Sequence, residues 1–227
     1  MVDASLVYSV LAVLPPGAAF FLAYGRWDGA FRDNVVFLHF MGGILMGFLL
    51  GFLTIFALGI RAPIPIAVFL SLLYPVSIVV AVNRRRWQGE RHAVFNGGAF
   101  ALGSALMLGF TFLYVLYKEV PLSWETSTQA FLFCAGLSGL FFALGMLAGD
   151  GVRRKKPFRA AFTGTAAVLA PVLFLQEFAA SRAWLWVALL LAYGLVAGVA
   201  AERRLLLEGA DPEEIKRRRR ERRKARA

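Results

Sequence analysis

Seven apolar stretches, each long enough to cross a lipid bilayer, dominate this 227-residue chain. They cover residues 5–23, 35–60, 64–82, 93–117, 127–149, 158–178 and 184–201. A hydrocarbon core about 30 Å thick takes roughly 20 residues of helix. None of the stretches carries Asp, Glu, Lys or Arg, except at Arg159 and Glu177 near the ends of the sixth. In lipid the backbone must satisfy its own hydrogen bonds, which leaves helices or a closed barrel. The stretches are far too long for barrel strands and lack their alternation. The expected fold class is therefore all-α integral membrane. Seven transmembrane helices form a membrane domain over residues 1–201, followed by a basic, partly helical tail over 202–227. The 59% hydrophobic composition fits this class better than a soluble domain. Short connectors predict that consecutive helices pack as antiparallel neighbours.

The charges give the direction. Of 25 Lys and Arg residues, all but Arg61, Lys118 and Arg182 fall in segments 24–34, 83–92, 150–159 and the tail. These are alternate connections, so the positive-inside rule predicts an N-terminus outside and a cytoplasmic C-terminus, in the plasma membrane. The first stretch follows Asp3 rather than a basic region and is read as a retained helix. Arg84, Arg85, Arg86 and Trp87 suit the inner interface at the end of the third span. Together with Arg153, Arg154, Lys155, Lys156, Arg217, Arg218, Arg219 and Arg220 they are candidates for anionic lipid head groups or an acidic partner. In the tail, Asp211, Pro212, Glu213 and Glu214 make a helix start, after which the sequence is almost wholly basic. The net charge of +11 is not evidence for nucleic acid, because no aromatic residues interleave with the tail's charges to stack on bases.

Small residues recur every fourth position: Gly43, Gly47 and Gly51; Ala101, Ala105 and Gly109; Gly145 and Gly149; Gly194 and Gly198. Such rows let helix backbones approach closely, which matters where lipid removes the hydrophobic drive. They are candidate packing surfaces within the bundle and, secondarily, a face for a homo-oligomer or a membrane-protein complex. Pro15, Pro16, Pro75 and Pro171 are expected to kink or break the first, third and sixth helices.

Chemistry-bearing residues are scarce. Cys134 is the single cysteine, and His39 and His92 are the only histidines, so no metal site, cofactor or catalytic residue is expected. Asp33, His39, Asn96 and Asp150 lie at similar depth on the basic side and form the one conceivable polar cluster, although helix capping explains each separately. Gly136-Leu-Ser138-Gly139 looks like the rhomboid protease GxSG. Its serine sits near mid-membrane while His39 lies near the inner surface, so nucleophile and base are not within reach. Leu147-Ala-Gly-Asp150 lacks the first glycine of the intramembrane aspartyl protease motif.

Two segments carry a family likeness: LAVLPPGAAFFLAYGRWDGAFRDNVVFLHFMGG and NRRRWQGERHAVFNGGAFALGSALMLGFTFLY. The chain resembles the PrsW-like intramembrane proteases, a superfamily that includes the CAAX-processing type and the seven-helix scaffold subunit of gamma-secretase. AFLFCAGLSGLFFALG extends the likeness over nearly all of the membrane domain. The resemblance implies paired glutamates in the third helix, where this chain has Leu73, Tyr74 and Ser77. It implies Glu-Asn near Leu108 and Gly109, and histidines near Gln129 or Phe131 and near Ala170 and Pro171. Without these groups nothing activates water. The expectation is a non-catalytic scaffold or accessory subunit. A transporter or channel for a lipid-like or weakly polar solute is the alternative, and an intramembrane hydrolase with a cytoplasmic-side site comes third.

Overall fold

The computed structural model describes residues 4–25, 33–58, 63–84, 88 and 92–203. Arg85, Arg86 and the tail arginines Arg217, Arg218, Arg219 and Arg220 lie outside the described residues, as does the helix start at Asp211. Seven helices make up the fold: α1 (Ala4–Gly25), α2 (Asp33–Leu58), α3 (Pro63–Val82), α4 (Ala93–Leu116), α5 (Trp124–Arg153), α6 (Pro157–Ser181) and α7 (Trp184–Ala201). All seven are long and apolar enough to cross a membrane, and no strand occurs among the described residues.

The helices do not pack chiefly on their sequence neighbours. α4 and α5 form an antiparallel central pair; α2 lies on α4, α7 lies on α5, and α1 fills one groove between the central two. On the other side α3 packs mainly against α6. The chain thus reads as two triplets, α2–α4 and α5–α7, after α1. In each triplet the first and third helices run parallel in close contact, and the two middle helices meet each other. The expectation of antiparallel neighbours holds for α4 and α5 but fails around α3, because backbone proximity follows the small residues rather than chain order. A Cβ on Gly43 would overlap the Phe100 carbonyl, one on Gly47 the Ser104 carbonyl, and one on Gly103 the Phe40 carbonyl. On its other face α4 meets α5, where Gly97 faces Gly145 and Ala93 faces Gly149. A third row, Gly136 and Gly139, seats α5 against Leu190 and Gly194 of α7.

At both ends α5 exceeds the expected 127–149. A reciprocal capping box starts it: Ser123 Oγ accepts from the Thr126 N–H, and Thr126 Oγ1 accepts from the Ser123 N–H, each at 3.1 Å. Asp150, paired with Arg153 and Arg154 one turn on, supports the other end. At 30 residues the helix is about 45 Å long, enough to protrude from both faces of a bilayer core. The prolines do not break their helices. α1, α3 and α6 run unbroken past Pro15, Pro16, Pro75 and Pro171, all four buried against neighbours. Pro75 touches the α6 backbone where Gly164 leaves room.

Candidate functional site: a basic cleft at one end of the bundle

The C-terminal ends of α1, α3, α5 and α7 share one end of the bundle, where Arg84, Arg153, Arg154, Lys155, Lys156, Arg159 and Arg203 gather among the described residues. There α5 closes in a Schellman motif. The Lys155 N–H donates to the Val152 carbonyl at 3.0 Å, and the Lys156 N–H donates to the Gly151 carbonyl at 2.7 Å. Lys155 takes the left-handed position at φ 58° that glycine usually fills. Pro157 then opens α6 at once, with its fixed φ suited to a first helical turn. The reversal is tight enough that a Cβ on Gly151 would overlap that of Ala160.

This turn folds α6 back beside α5 and α7 and leaves a cleft of about 460 Å³. Arg154, Lys156 and Arg159 line it, with the Thr163 hydroxyl. Gly151, Ala160, Ala200 and Ala201 supply its small, mostly apolar walls. Among the described residues Asp150 is the one carboxylate in the lining, and it is buried. Its Oδ2 accepts from Arg154 Nε at 2.8 Å, and its Oδ1 accepts from Arg153 Nε at 2.9 Å and also from the Arg153 terminal amine. Both oxygens are therefore committed, while Lys156 and Arg159 make no ion pair among the described residues.

Of the polar residues singled out from sequence, the described side chains are those of His39, Asn96 and Asp150, and all three are buried. His39 is buried on α2 and its Nδ1–H donates to the Val35 carbonyl at 2.6 Å. Asn96 is buried in the first turn of α4. The Gly43–Phe100 contact puts Asn96 one turn below, level with His39 on the parallel helix. Asp150 is bound up with its arginines, and the Asp33 side chain lies outside the described part. Among the described residues no three His, Cys, Asp or Glu side chains come together as a metal site. Ser138 is buried, and its hydroxyl donates to the Cys134 carbonyl of its own helix at 2.6 Å. Tyr74 is buried against Phe141, with its hydroxyl 2.8 Å from Thr54 Oγ1, and the Ser77 hydroxyl donates to the Tyr74 carbonyl.

The far end of the bundle is laced by hydrogen bonds. The Tyr8 hydroxyl donates to the Pro121 carbonyl at 2.7 Å. The Tyr117 hydroxyl donates to Gln129 Oε1 at 2.9 Å, and Gln129 Nε2 donates to the Arg182 carbonyl at 2.6 Å. Arg182, left-handed at φ 54°, reaches back to the Leu116 carbonyl at 2.9 Å. Trp184 Nε1 donates to Glu125 at 2.9 Å. One basic residue thus ties α4, α5 and the α6–α7 turn together.

Residues missed in the sequence include Gly97, Gly103, Gly136 and Gly139 in packing and Arg159 and Thr163 in the cleft. The glycines carried a readable signal in their spacing to Ala101 and to one another. Arg159 and Thr163 carried one too, since four residues apart on a helix they share a face.

Fold and site together define a multi-pass helical membrane protein with a cationic cleft at one end. No family model, curated protein or solved structure matches the chain.

Proposed function

We propose that this protein is a non-catalytic polytopic scaffold or accessory subunit of the plasma membrane, N-terminus outside and basic end cytoplasmic. It positions neighbouring membrane proteins or further copies of itself. The observation that carries the reading is the interlocked core of α2, α4, α5 and α7. Thr54, Ser71, Ser104, Thr111 and Ser138 donate their hydroxyls to carbonyls one turn back on their own helices. Between them the backbones of α2, α4, α5 and α7 interlock at glycine. Such close backbone contact suits a part that holds other helices in place. Membership of the PrsW-like superfamily, as a relative without its catalytic set, rests on the sequence patterns alone. The basic end would face the anionic leaflet.

The test is the mass of the solubilised protein and its companions. A homo-oligomer or a stoichiometric membrane partner is the expected result, with no solute flux above protein-free vesicles. A partnerless monomer that conducts or hydrolyses would reject the scaffold.

One observation favours the transporter alternative. A cavity of about 290 Å³ between α2, α4 and α6 is lined by Ile55, Phe112, Val115 and Gln176. The buried Gln176 Oε1 has no hydrogen-bond partner among the described residues. An apolar chamber with one unfilled acceptor suits a weakly polar solute, and flux abolished by Gln176→Leu would establish that role.

A further inference from the structure

We propose that the cleft between α5, α6 and α7 is a binding site for the phosphodiester head group of an anionic phospholipid. This deepens the reading of the basic end as the anionic-leaflet face and rests on it. The inference assigns the binding to one recessed pocket instead of a diffuse positive surface, and it brings in Arg159 and Thr163.

Charge is the first argument. Among the described residues three cations face the cleft, and the one carboxylate lining it has both oxygens occupied by Arg153 and Arg154. Lys156 and Arg159 have no ion-pair partner among the described residues, so the cleft has a positive excess that an anion would neutralise. Arginine presents a planar donor fork matched to phosphate oxygens. The Thr163 hydroxyl donates to the Arg159 carbonyl at 2.9 Å, which leaves its lone pairs to accept from a glycerol hydroxyl.

Shape and depth are the second. Gly151 of α5, Ala160 of α6 and Ala200 and Ala201 of α7 keep the cleft open, and Leu147 lines it with the charges. A soluble phosphate would gain nothing from those apolar walls, whereas the upper acyl and glycerol part of a lipid would. Phe158 and Phe162, four residues apart on one face of α6 beside Arg159, are 90% and 78% exposed, as lipid-facing side chains would be. α5 outruns a bilayer core by about five residues at each end if centred. Asp150, three residues before Arg153, therefore sits at phosphate level rather than in hydrocarbon.

The experiment uses the full chain, purified in detergent and depleted of lipid, and titrated with phosphatidylglycerol or phosphatidylcholine in mixed micelles. Retained lipid is counted by native mass spectrometry. Phosphatidylglycerol should bind at least about tenfold more tightly than phosphatidylcholine, and neutralising the cleft with Arg154→Gln, Lys156→Gln and Arg159→Gln should remove that preference. A triple variant with the same charge change elsewhere, Arg26→Gln, Arg32→Gln and Arg91→Gln, should keep most of it. Ala200→Leu, on the exposed wall of the cleft, removes no charge and should weaken binding comparably while leaving the melting temperature in place. Equal losses in the two triple variants, or none with Ala200→Leu, would replace the pocket with diffuse attraction and overturn the proposal. Displacement of phosphatidylglycerol by millimolar inorganic phosphate would reassign the cleft to a soluble anion and overturn it too. The underlying reading fails separately, if a cysteine placed at the basic end is labelled from outside intact cells by a membrane-impermeant reagent.

Discussion

Lys155 occupies a backbone conformation that costs an L-residue about 1–2 kcal/mol. Replacing it by glycine should relieve the cost and raise stability by about 1 kcal/mol. Lys155→Ala removes the same charge but keeps a Cβ, so it should bring no such gain; thermal unfolding in detergent compares the two. Gly145 and Gly17 make a second contrast. A methyl on Gly145 would meet the Gly97 carbonyl and the Ala101 side chain, so Gly145→Ala should force α4 and α5 apart at about 1–3 kcal/mol. Around Gly17 there is open space, and Gly17→Ala should stabilise α1 by about 0.5–1 kcal/mol. If both alanines behaved alike, helix propensity rather than backbone approach would be setting the stability.

At the scale of helices and turns, the α6–α7 reversal depends on Gln129, a buried amide whose oxygen and nitrogen both carry a bond to another segment. Gln129→Leu leaves the Tyr117 hydroxyl and the Arg182 carbonyl without that partner. It should cost about 1–3 kcal/mol and speed proteolysis between Ser181 and Trp184; an unchanged cleavage rate would mean the turn is held by packing alone. The same helices show what the sequence makes legible. The existence of all seven was plain from their length and lack of charge. The start of α5 was not, because Ser123 and Thr126 form a capping box with threonine in place of the usual glutamate. A row such as Gly43, Gly47 and Gly51 says that a face wants a backbone against it. It does not name the partner, which is why α4, rather than α3, could be found only in three dimensions. For the cleft, Arg154 and Lys156 were visible as charge. Their meeting with Arg159 depends on the left-handed turn at Lys155, which a lysine gives no reason to expect.

For the whole molecule the decisive property is that hydroxyls and backbones are spent on internal contacts. Reconstituted protein should therefore show no proton leak across pH 5–9, and a leak abolished by Ser138→Ala would contradict that interior. The parallel pairs also bear on how such a chain is made. A span delivered to the bilayer ahead of its partner has to keep its notched face in lipid until a later span arrives. α2 waits in this way for α4, and α5 for α7. Nascent chains halted after α3 should leave position 43 open to a lipid-soluble crosslinker, and lengthening the chain past residue 116 should close it.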